Sequence, residues 1–389
     1  MPNRRRVLQV AAGAIALVGA GVAWRAWDQG VFSTGEGPAY EPWLTWEGGD
    51  AASPRHLVRA ATLAANPHNS QPWRFHIQPA SIDLFADRSR NIGSIDPLLR
   101  EMHIGLGCAL ENLILAASAR GFGHKLALFP NPGEIAHVAR VDLEAGSEVK
   151  SSSLYAAIPH RHTNRGAYDS ARLLDPSVFE EMQALGKDLP AVSVRWFTSA
   201  DSRRHMGELV VQATEAIISD RQQSQDSAAW FRPTWQEIQQ KRDGLTVDAQ
   251  ALPGWMRAAA KVLPPISREQ SERIWLKSTR EVQVATAPAF GTLLVRDATD
   301  NSNRVQSGRL WQRMHLWAET RGIAMQPLNQ MPERADRERS LGIEPRFGSA
   351  LKELAGDPGW EVLMPFRLGY PMVAALASPR RSVDEVIAA

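Results

Sequence analysis

Cysteine is almost absent. One thiol, Cys108, in 389 residues excludes an intrachain disulfide and any cysteine-rich zinc or iron–sulfur centre. It lies in an apolar run of helical character, where a buried, inert thiol is expected. An excess of one charge is lacking too: 44 basic side chains stand against 42 acidic ones, and the basic ones are scattered rather than striped. That balance gives no field to recruit nucleic acid, and no nucleic-acid partner is expected. No glycine-rich dinucleotide loop and no G-x-S-x-G elbow occurs, which sets aside Rossmann and serine-hydrolase readings. His160 and His162 flank Arg161 like a metal pair, but no carboxylate or histidine follows at ligand spacing, so no metal site is expected. Tyrosine is scarce while tryptophan is not, 4 against 13. Flat apolar rings with one donor suit the walls around a planar ligand, although most such rings simply fill cores. With 44% hydrophobic residues the chain can bury a large core, enough for two domain-sized units or one extended one.

The N-terminus reads as a targeting segment rather than as part of the fold. Asn3-Arg4-Arg5-Arg6-Val7-Leu8-Gln9 leads an uncharged stretch from Val7 to Trp24 built mostly of Ala, Gly, Val and Leu, the layout of an export signal. Two adjacent arginines, a spacer and two apolar residues resemble a twin-arginine signal, with Asn3 where Ser or Thr is commoner. A single-helix membrane anchor is the alternative, because the run is about long enough to span a bilayer and no A-x-A cleavage site follows. The expectation is an exported body, periplasmic or anchored to the cytoplasmic membrane facing outward, delivered by the twin-arginine export machinery. Cargo of that route folds before crossing, commonly around a cofactor. Removing residues 1–25 subtracts Arg4, Arg5, Arg6 and Arg25 and leaves 40 basic against 42 acidic residues, so the exported body is near neutral.

Residues 26–50, rich in Gly, Pro and acidic side chains, read as a tether. A first half follows over 51–150, with a helix at about Pro54 to Ala65, an apolar helix from Met102 to Arg120 stopped by Gly121, and a strand-like alternation from Ile135 to Val141. The Gly/Ser/Lys stretch 145–153 marks the junction to a second half over 151–389, which carries a helical insertion or lid at about 201–280. Aligning Gly121 with Gly322 sets "GCALENLILAASARG" (107–121) beside "GRLWQRMHLWAETRG" (308–322). They agree at Gly107/Gly308, Leu115/Leu316, Ala117/Ala318, Arg120/Arg321 and Gly121/Gly322, five identities in fifteen positions, against roughly one expected by chance, which points to an internal duplication.

Two short stretches carry the chemistry. In "IPHRHTNRGAY" (158–168), Arg161, Thr163 and Arg165 alternate, so two guanidiniums and a hydroxyl share one side of an extended segment and match the geometry of a phosphate. A solvated basic loop is the plain alternative. In "NPHNSQPWRF" (66–75), two prolines and three amides form a rigid polar turn before a strand. The first motif occurs only in the second half and the second only in the first, so each half lacks what the other supplies.

R-x-T-x-R before a helix, together with a separate N-S-Q-P-W, resembles the FMN-dependent nitroreductases. The complementary motifs in one chain, with "FRLGYP" (366–371) and "SPRR" (378–381), are similar to the Acg type of that family over roughly residues 50–385. The resemblance implies an α+β fold, with two tandem halves packed as an intramolecular pseudo-dimer and mostly antiparallel sheet flanked by helices. Periodicity alone supports only mixed helices and strands. The resemblance also implies an FMN site: Arg161, Thr163 and Arg165 on the phosphate and ribityl chain, and Asn66, Pro67, Asn69 and Gln71 against the flavin. Pro327, Leu328, Asn329 and Gln330 would lie along the ring, and Arg380 and Arg381 would add phosphate contacts. Asn329 and Gln330 depart from the acidic residue and Gly that many members carry there. No catalytic side chain is implied, because flavin chemistry needs no general acid or base from the protein; His68 reads as a wall or hydrogen-bonding residue. The implied activity is reduction of a small acceptor, nitroaromatic or quinone-like. NAD(P)H is not expected outside the cytoplasm, so an exported enzyme would take electrons from a membrane or protein donor. The competing expectation is an FMN-binding store that sequesters the flavin without turnover.

Overall fold

The computed structural model describes residues 20–48, 53–146 and 148–388. The expected export signal lies largely outside them. What is described forms two four-stranded antiparallel sheets accompanied by helices, an α+β architecture.

The first half opens with helix α1 (Pro54–Thr62), where Ser53 accepts from Arg55 N and Pro54 takes the first helical position. It ends three residues earlier than the apolar pattern suggests, short of the Pro67 turn. Strands β1 (Trp73–Gln78) and β2 (Ser81–Ala86) form a hairpin. Helix α2 (Arg100–Ala119) follows, then β3 (Phe122–Leu128) and β4 (His137–Ala145). Asp96 caps α2 by accepting from the backbone N–H groups of Glu101 (3.1 Å) and Met102 (2.9 Å). Among the described residues α2 alone is long and apolar enough to cross a membrane, yet most of it is buried inside the protein, as the core helix of a folded body is.

The second half repeats this plan. It runs through α3 (Pro176–Ala184) and β5 (Val192–Phe197) into five helices: α4 (Ala200–Ser219), α5 (Arg221–Ala228), α6 (Trp235–Lys241), α7 (Gly254–Val262) and α8 (Arg268–Ser278). It resumes with β6 (Ala289–Val295), α9 (Asn301–Glu319), β7 (Ala324–Pro327), α10 (Gln330–Leu341), α11 (Arg346–Ala355) and β8 (Glu361–Gly369). The sheet orders are β1-β2-β4-β3 and β5-β6-β8-β7, so the two sheets have one topology. Each also shifts register once between its second and third strands, at Leu84/Phe85 and at Leu293/Leu294.

The two long helices cross where their aligned glycines meet. A Cβ on Gly107 would sit 2.0 Å from Val305 O, and one on Gly308 would sit 1.9 Å from Ile104 O. Only glycine allows backbones this close, and the reciprocity of the two contacts marks an approximate two-fold axis between the halves. Around the crossing, Cys108 Sγ donates to Gly308 O (3.2 Å), Gln312 Nε2 donates to Asn112 Oδ1 (2.8 Å), and Glu111 pairs with Arg309 (2.8 Å) and Arg313 (2.7 Å). Cys108 is a buried, free thiol.

Two segments tie the halves further. Residues 379–388 return to the first sheet, where Phe75 N donates to Val386 O (2.8 Å) and Ala388 N to Phe75 O (2.7 Å). The stretch read from sequence as a tether is docked rather than free. Tyr40 is buried, Trp43 Nε1 donates to Ser378 O (2.7 Å) and Ala39 O accepts from Arg380 N (2.7 Å). Its glycines and acids disguise the buried Ala39, Tyr40, Trp43 and Trp46.

Candidate functional site

The Asn66–Gln71 turn is held in an uncommon backbone conformation. His68 (φ 47°), Asn69 (φ 54°) and Gln71 (φ 53°) all lie in the left-handed region, at about 1–3 kcal/mol each for non-glycine residues. Amide side chains hold it there. Asn66 Oδ1 accepts from Gln71 N (2.8 Å), and Asn69 Nδ2 donates to Pro379 O (2.8 Å) and Gly244 O (3.2 Å). Gln71 Nε2 donates to Arg242 O (2.8 Å), and its Oε1 accepts from Arg381 N (2.8 Å). The turn is thereby fixed to the C-terminal tail on one side and to the inserted segment between α6 and α7 on the other. Pro67 packs on α2, where a Cβ at Gly105 would lie 2.9 Å from its Cδ.

Against this turn sit two buried arginines from distant parts of the chain. Arg161 is 2% exposed and Arg380 is 3% exposed. Arg161 Nη2 donates to Leu63 O (3.2 Å) and Nη1 faces His315 Nδ1 (3.4 Å). Arg380 Nη2 donates to Ala64 O (3.2 Å), its Nη1 binds Asn69 Oδ1 and Pro379 O, and its guanidinium lies over the Trp43 ring at 4.8 Å. The carbonyls just beyond the C-terminal end of α1 favour positive charge. They do not neutralise it: among the described residues Arg161 Nε and Arg380 Nε have no hydrogen-bond partner. Arg165 reaches the inserted segment, donating to Ala249 O (3.2 Å).

Burial pushes Arg161 and Arg165 down to about 10, and pushes Arg380 well below its ordinary value with Arg161 repelling it further. Among the described residues no carboxylate forms an ion pair with any of the three. Nearby histidines stay neutral: burial, then Arg165, lowers His68 to about 4, and burial, then Arg161 and Arg380, lowers His162 to about 3. The result is a cluster of desolvated guanidiniums with unused donors, a natural seat for an anion of two charges. Among the described residues no cluster of His, Cys, Asp and Glu is arranged to hold a metal ion.

Segments 66–71, 161–165 and 379–380 thus converge at the junction of the halves. Thr163 is half-buried between the two arginines in sequence. Arg381 turns away, contrary to the paired role expected of 380 and 381. Its Nη2 donates to Gln71 O (2.6 Å) and Trp73 O (3.2 Å), and it straps the turn to β1 because the neighbouring backbone carbonyls lie on that side. The 327–330 segment borders α2 about one turn nearer its N-terminus. Leu328 is packed in a core cluster with Phe290 and Met331, with its N–H bonded to Pro365 O (2.8 Å). Asn329 Oδ1 faces Arg100 Nη1 at 3.5 Å, Pro327 closes β7, and buried Gln330 keeps Oε1 without a partner among the described residues.

Sequence reasoning missed three contributors. The inserted segment supplies Arg242 O, Gly244 O and Ala249 O, which are backbone atoms and leave no side-chain signature. Trp43 lies under Arg380, hidden in what read as a tether. A buried cluster of Asp96, Arg100, Glu101, Glu333 and Asp336 lies beside Asn329, with Arg100 Nε donating to Asp336 (2.7 Å) and Nη2 to Glu101 (3.2 Å). Burial raises both Glu101 and Glu333, the latter to about 7, and the neighbouring Glu333 carboxyl raises Glu101 further. The density of charge in "PERADRER" (332–339) was its visible sign.

No protein-family model matches the chain. Over 342 residues it is 24% identical to "Putative NAD(P)H nitroreductase Rv3131" of Mycobacterium tuberculosis, covering 87% of this chain and 92% of that protein. Over 88 residues it is 35% identical to "Putative NAD(P)H nitroreductase acg" of the same organism, 23% of this chain and 27% of that one. A crystal structure of the FMN-dependent nitroreductase NfnB from Mycobacterium smegmatis in complex with NADPH aligns with a TM-score of 0.38 at 18% identity, covering 60% of this chain and 96% of NfnB. Along most of its length the chain is thus similar to a protein named "Putative NAD(P)H nitroreductase", and over a shorter span to the one named for acg.

Proposed function

We propose that this chain is an FMN-dependent oxidoreductase of nitroreductase type that passes electrons to a small nitroaromatic or quinone-like acceptor. The observation that carries the reading is the buried Arg161–Arg380 pair, whose guanidiniums keep unused donors and, among the described residues, face no ion-paired carboxylate. Two such donors suit a phosphate monoester, and the resemblance of the two motifs to those of FMN-dependent nitroreductases supplies the flavin. When bound, FMN supplies the hydride and electron chemistry. The chain's own residues would bind and orient it. Arg161, Thr163, Arg165 and Arg380 would take the phosphate and ribityl end, and the strained Asn66–Gln71 turn, with Pro67, Asn69 and Gln71, would flank the ring. Pro327, Leu328, Asn329 and Gln330 would border its far side, and the Glu101–Glu333 pair would hold a proton behind that segment. The electron donor is NAD(P)H, as the relatives' names have it, or a membrane or protein donor if the chain is exported to the periplasm or the outer face of the cytoplasmic membrane.

A second reading, an FMN store without turnover, draws support from one feature. The inserted segment bonds directly to Asn69, Gln71 and Arg165 and so covers the turn. The test is to purify the chain, measure FMN per chain by absorbance, reduce the flavin without air and add nitroaromatics and quinones. Rapid reoxidation supports the enzyme, a flavin indifferent to every acceptor supports the store, and a colourless protein that takes up no FMN defeats both.

A further inference from the structure

The described chain begins with a helical segment, 20–28, that exposes tryptophan to solvent. Trp24 and Trp27 are 64% and 65% exposed, and their rings lie 5.3 Å apart. The segment docks on α7: Arg25 Nη2 donates to Leu263 O (3.3 Å), and Lys261 Nζ donates to Gly30 O (3.1 Å). Next to it α7 exposes Trp255 (74%), the loop beyond exposes Leu263 and Ile266, and α8 exposes Ile274. Ile266, Gln270, Arg273, Ile274 and Lys277 line a surface hollow of about 280 Å³ here. Exposed apolar side chains that share one surface mark an interaction site.

We propose that this face, formed by residues 20–28, α7, the 263–266 loop and α8, lies on the surface of a lipid bilayer containing anionic lipids. Three features select lipid over a protein partner. The sequence immediately before the face, Val7 to Gly19, is uncharged and apolar, so the chain enters the face from a stretch suited to hydrocarbon. The exposed side chains are led by tryptophan, whose amphipathic ring settles at headgroup depth. Over 254–280 six basic residues stand against Glu269 and Glu272; Asp248 pairs with Arg257 and Lys261, Glu269 and Glu272 with Arg268, Glu281 with Lys277 and Glu215 with Arg280, so among the described residues the exposed Arg273 on the lining of the hollow is the cation left to meet an anionic headgroup. The inference does not depend on the flavin reading. It sets which side of the folded body faces the membrane, and hence where a membrane-held electron donor would approach.

Cys108 is buried, so a single introduced cysteine can be labelled selectively. Full-length chains carrying Trp255→Cys, Ile266→Cys or, as a comparison site in the first half, Ile135→Cys are labelled with an environment-sensitive nitrobenzoxadiazole dye. They are then mixed with vesicles of phosphatidylcholine and phosphatidylglycerol, with and without shallow-brominated lipid. The expected result is a blue shift and bromine-dependent loss of emission at 255 and 266, none at 135, and a smaller response in pure phosphatidylcholine. If the chain floats with vesicles while the 255 and 266 dyes stay aqueous, the anchor alone binds and the proposal fails. A blue shift that needs only higher protein concentration and no vesicles assigns the face to a second copy and overturns it as well.

Discussion

Replacing Arg161 by methionine should stabilise the FMN-free chain and weaken FMN binding, a combination that an ordinary structural arginine would not give. Burial holds Arg161 at about 10 against an ordinary 12.5, a difference that corresponds to about 3 kcal/mol against the charged form. The guanidinium is 2% exposed, so water screens little of this. What the substitution removes is modest: the bond to Leu63 O at 3.2 Å, worth about 1 kcal/mol, and a long contact to His315. Methionine refills most of the volume. The net expectation is a gain of about 2 kcal/mol in urea unfolding of the FMN-free protein. Because the lowered value still lies near 10, Arg161 is charged on both sides of neutrality and the gain should be flat from pH 6 to pH 8. FMN affinity, followed by quenching of flavin fluorescence, should fall by about tenfold to a hundredfold for the lost charge-assisted bonds. A variant that is less stable and binds FMN as before would refute the argument, because the arginine would then be a structural cross-link and not an unpaired cation awaiting an anion.

Gly308→Ala drives a methyl to 1.9 Å from Ile104 O and should cost about 3 kcal/mol or more in the same urea assay, whereas Gly348→Ala, whose Cβ meets only Pro345 at 3.4 Å, should be near neutral. Asn69→Ala loses the bonds to Pro379 O, Gly244 O and Arg380 at a positive φ, so it should be less stable than Asn69→Gly by about 1 kcal/mol, and equal midpoints would mean that the left-handed conformation is not strained. Burial raises Glu333 to about 7, so its protonated form stabilises the fold below its ordinary 4.5 and that contribution is lost as pH climbs through about 7. Urea midpoints should therefore fall from pH 5 to pH 8, and Glu333→Gln should flatten the fall; identical slopes would count against a shared proton.

What could be read in the sequence is what side-chain type and spacing encode directly. The match between the two long helices was legible because Gly107 and Gly308 cannot be anything larger at the crossing, and because Gly121 and Gly322 both close a helix at positive φ. The elements around them were found to within a few residues. The convergence of 66–71 with 161–165 was expected only through the resemblance, since nothing local in either motif refers to the other. The insertion's part in the site was invisible, because Arg242, Gly244 and Ala249 act through backbone oxygens. Trp43 was misplaced for the opposite reason, since a buried ring sits in a stretch whose composition is that of a linker. Adjacency in sequence does not convey that Arg380 meets Asn69 and Ala64 O while Arg381 meets Gln71 O and Trp73 O.

A helix that crosses its own copy on a two-fold axis must be complementary to itself, since any side chain on the axis faces its twin. Along α2 and α9 the matched positions no longer obey that rule: Cys108 corresponds to Arg309, Glu111 to Gln312 and Asn112 to Arg313. Glu111 can bind Arg309 and Arg313 together only because the two faces differ. Joining the halves in one chain therefore turns a self-recognising surface into a lock and a key. Two loose copies of the first half would set Glu111 against Cys108 and Asn112, and two of the second would set Gln312 against Arg309 and Arg313 with no carboxylate between them, so the covalent pair recognises itself better than either half would recognise its own copy.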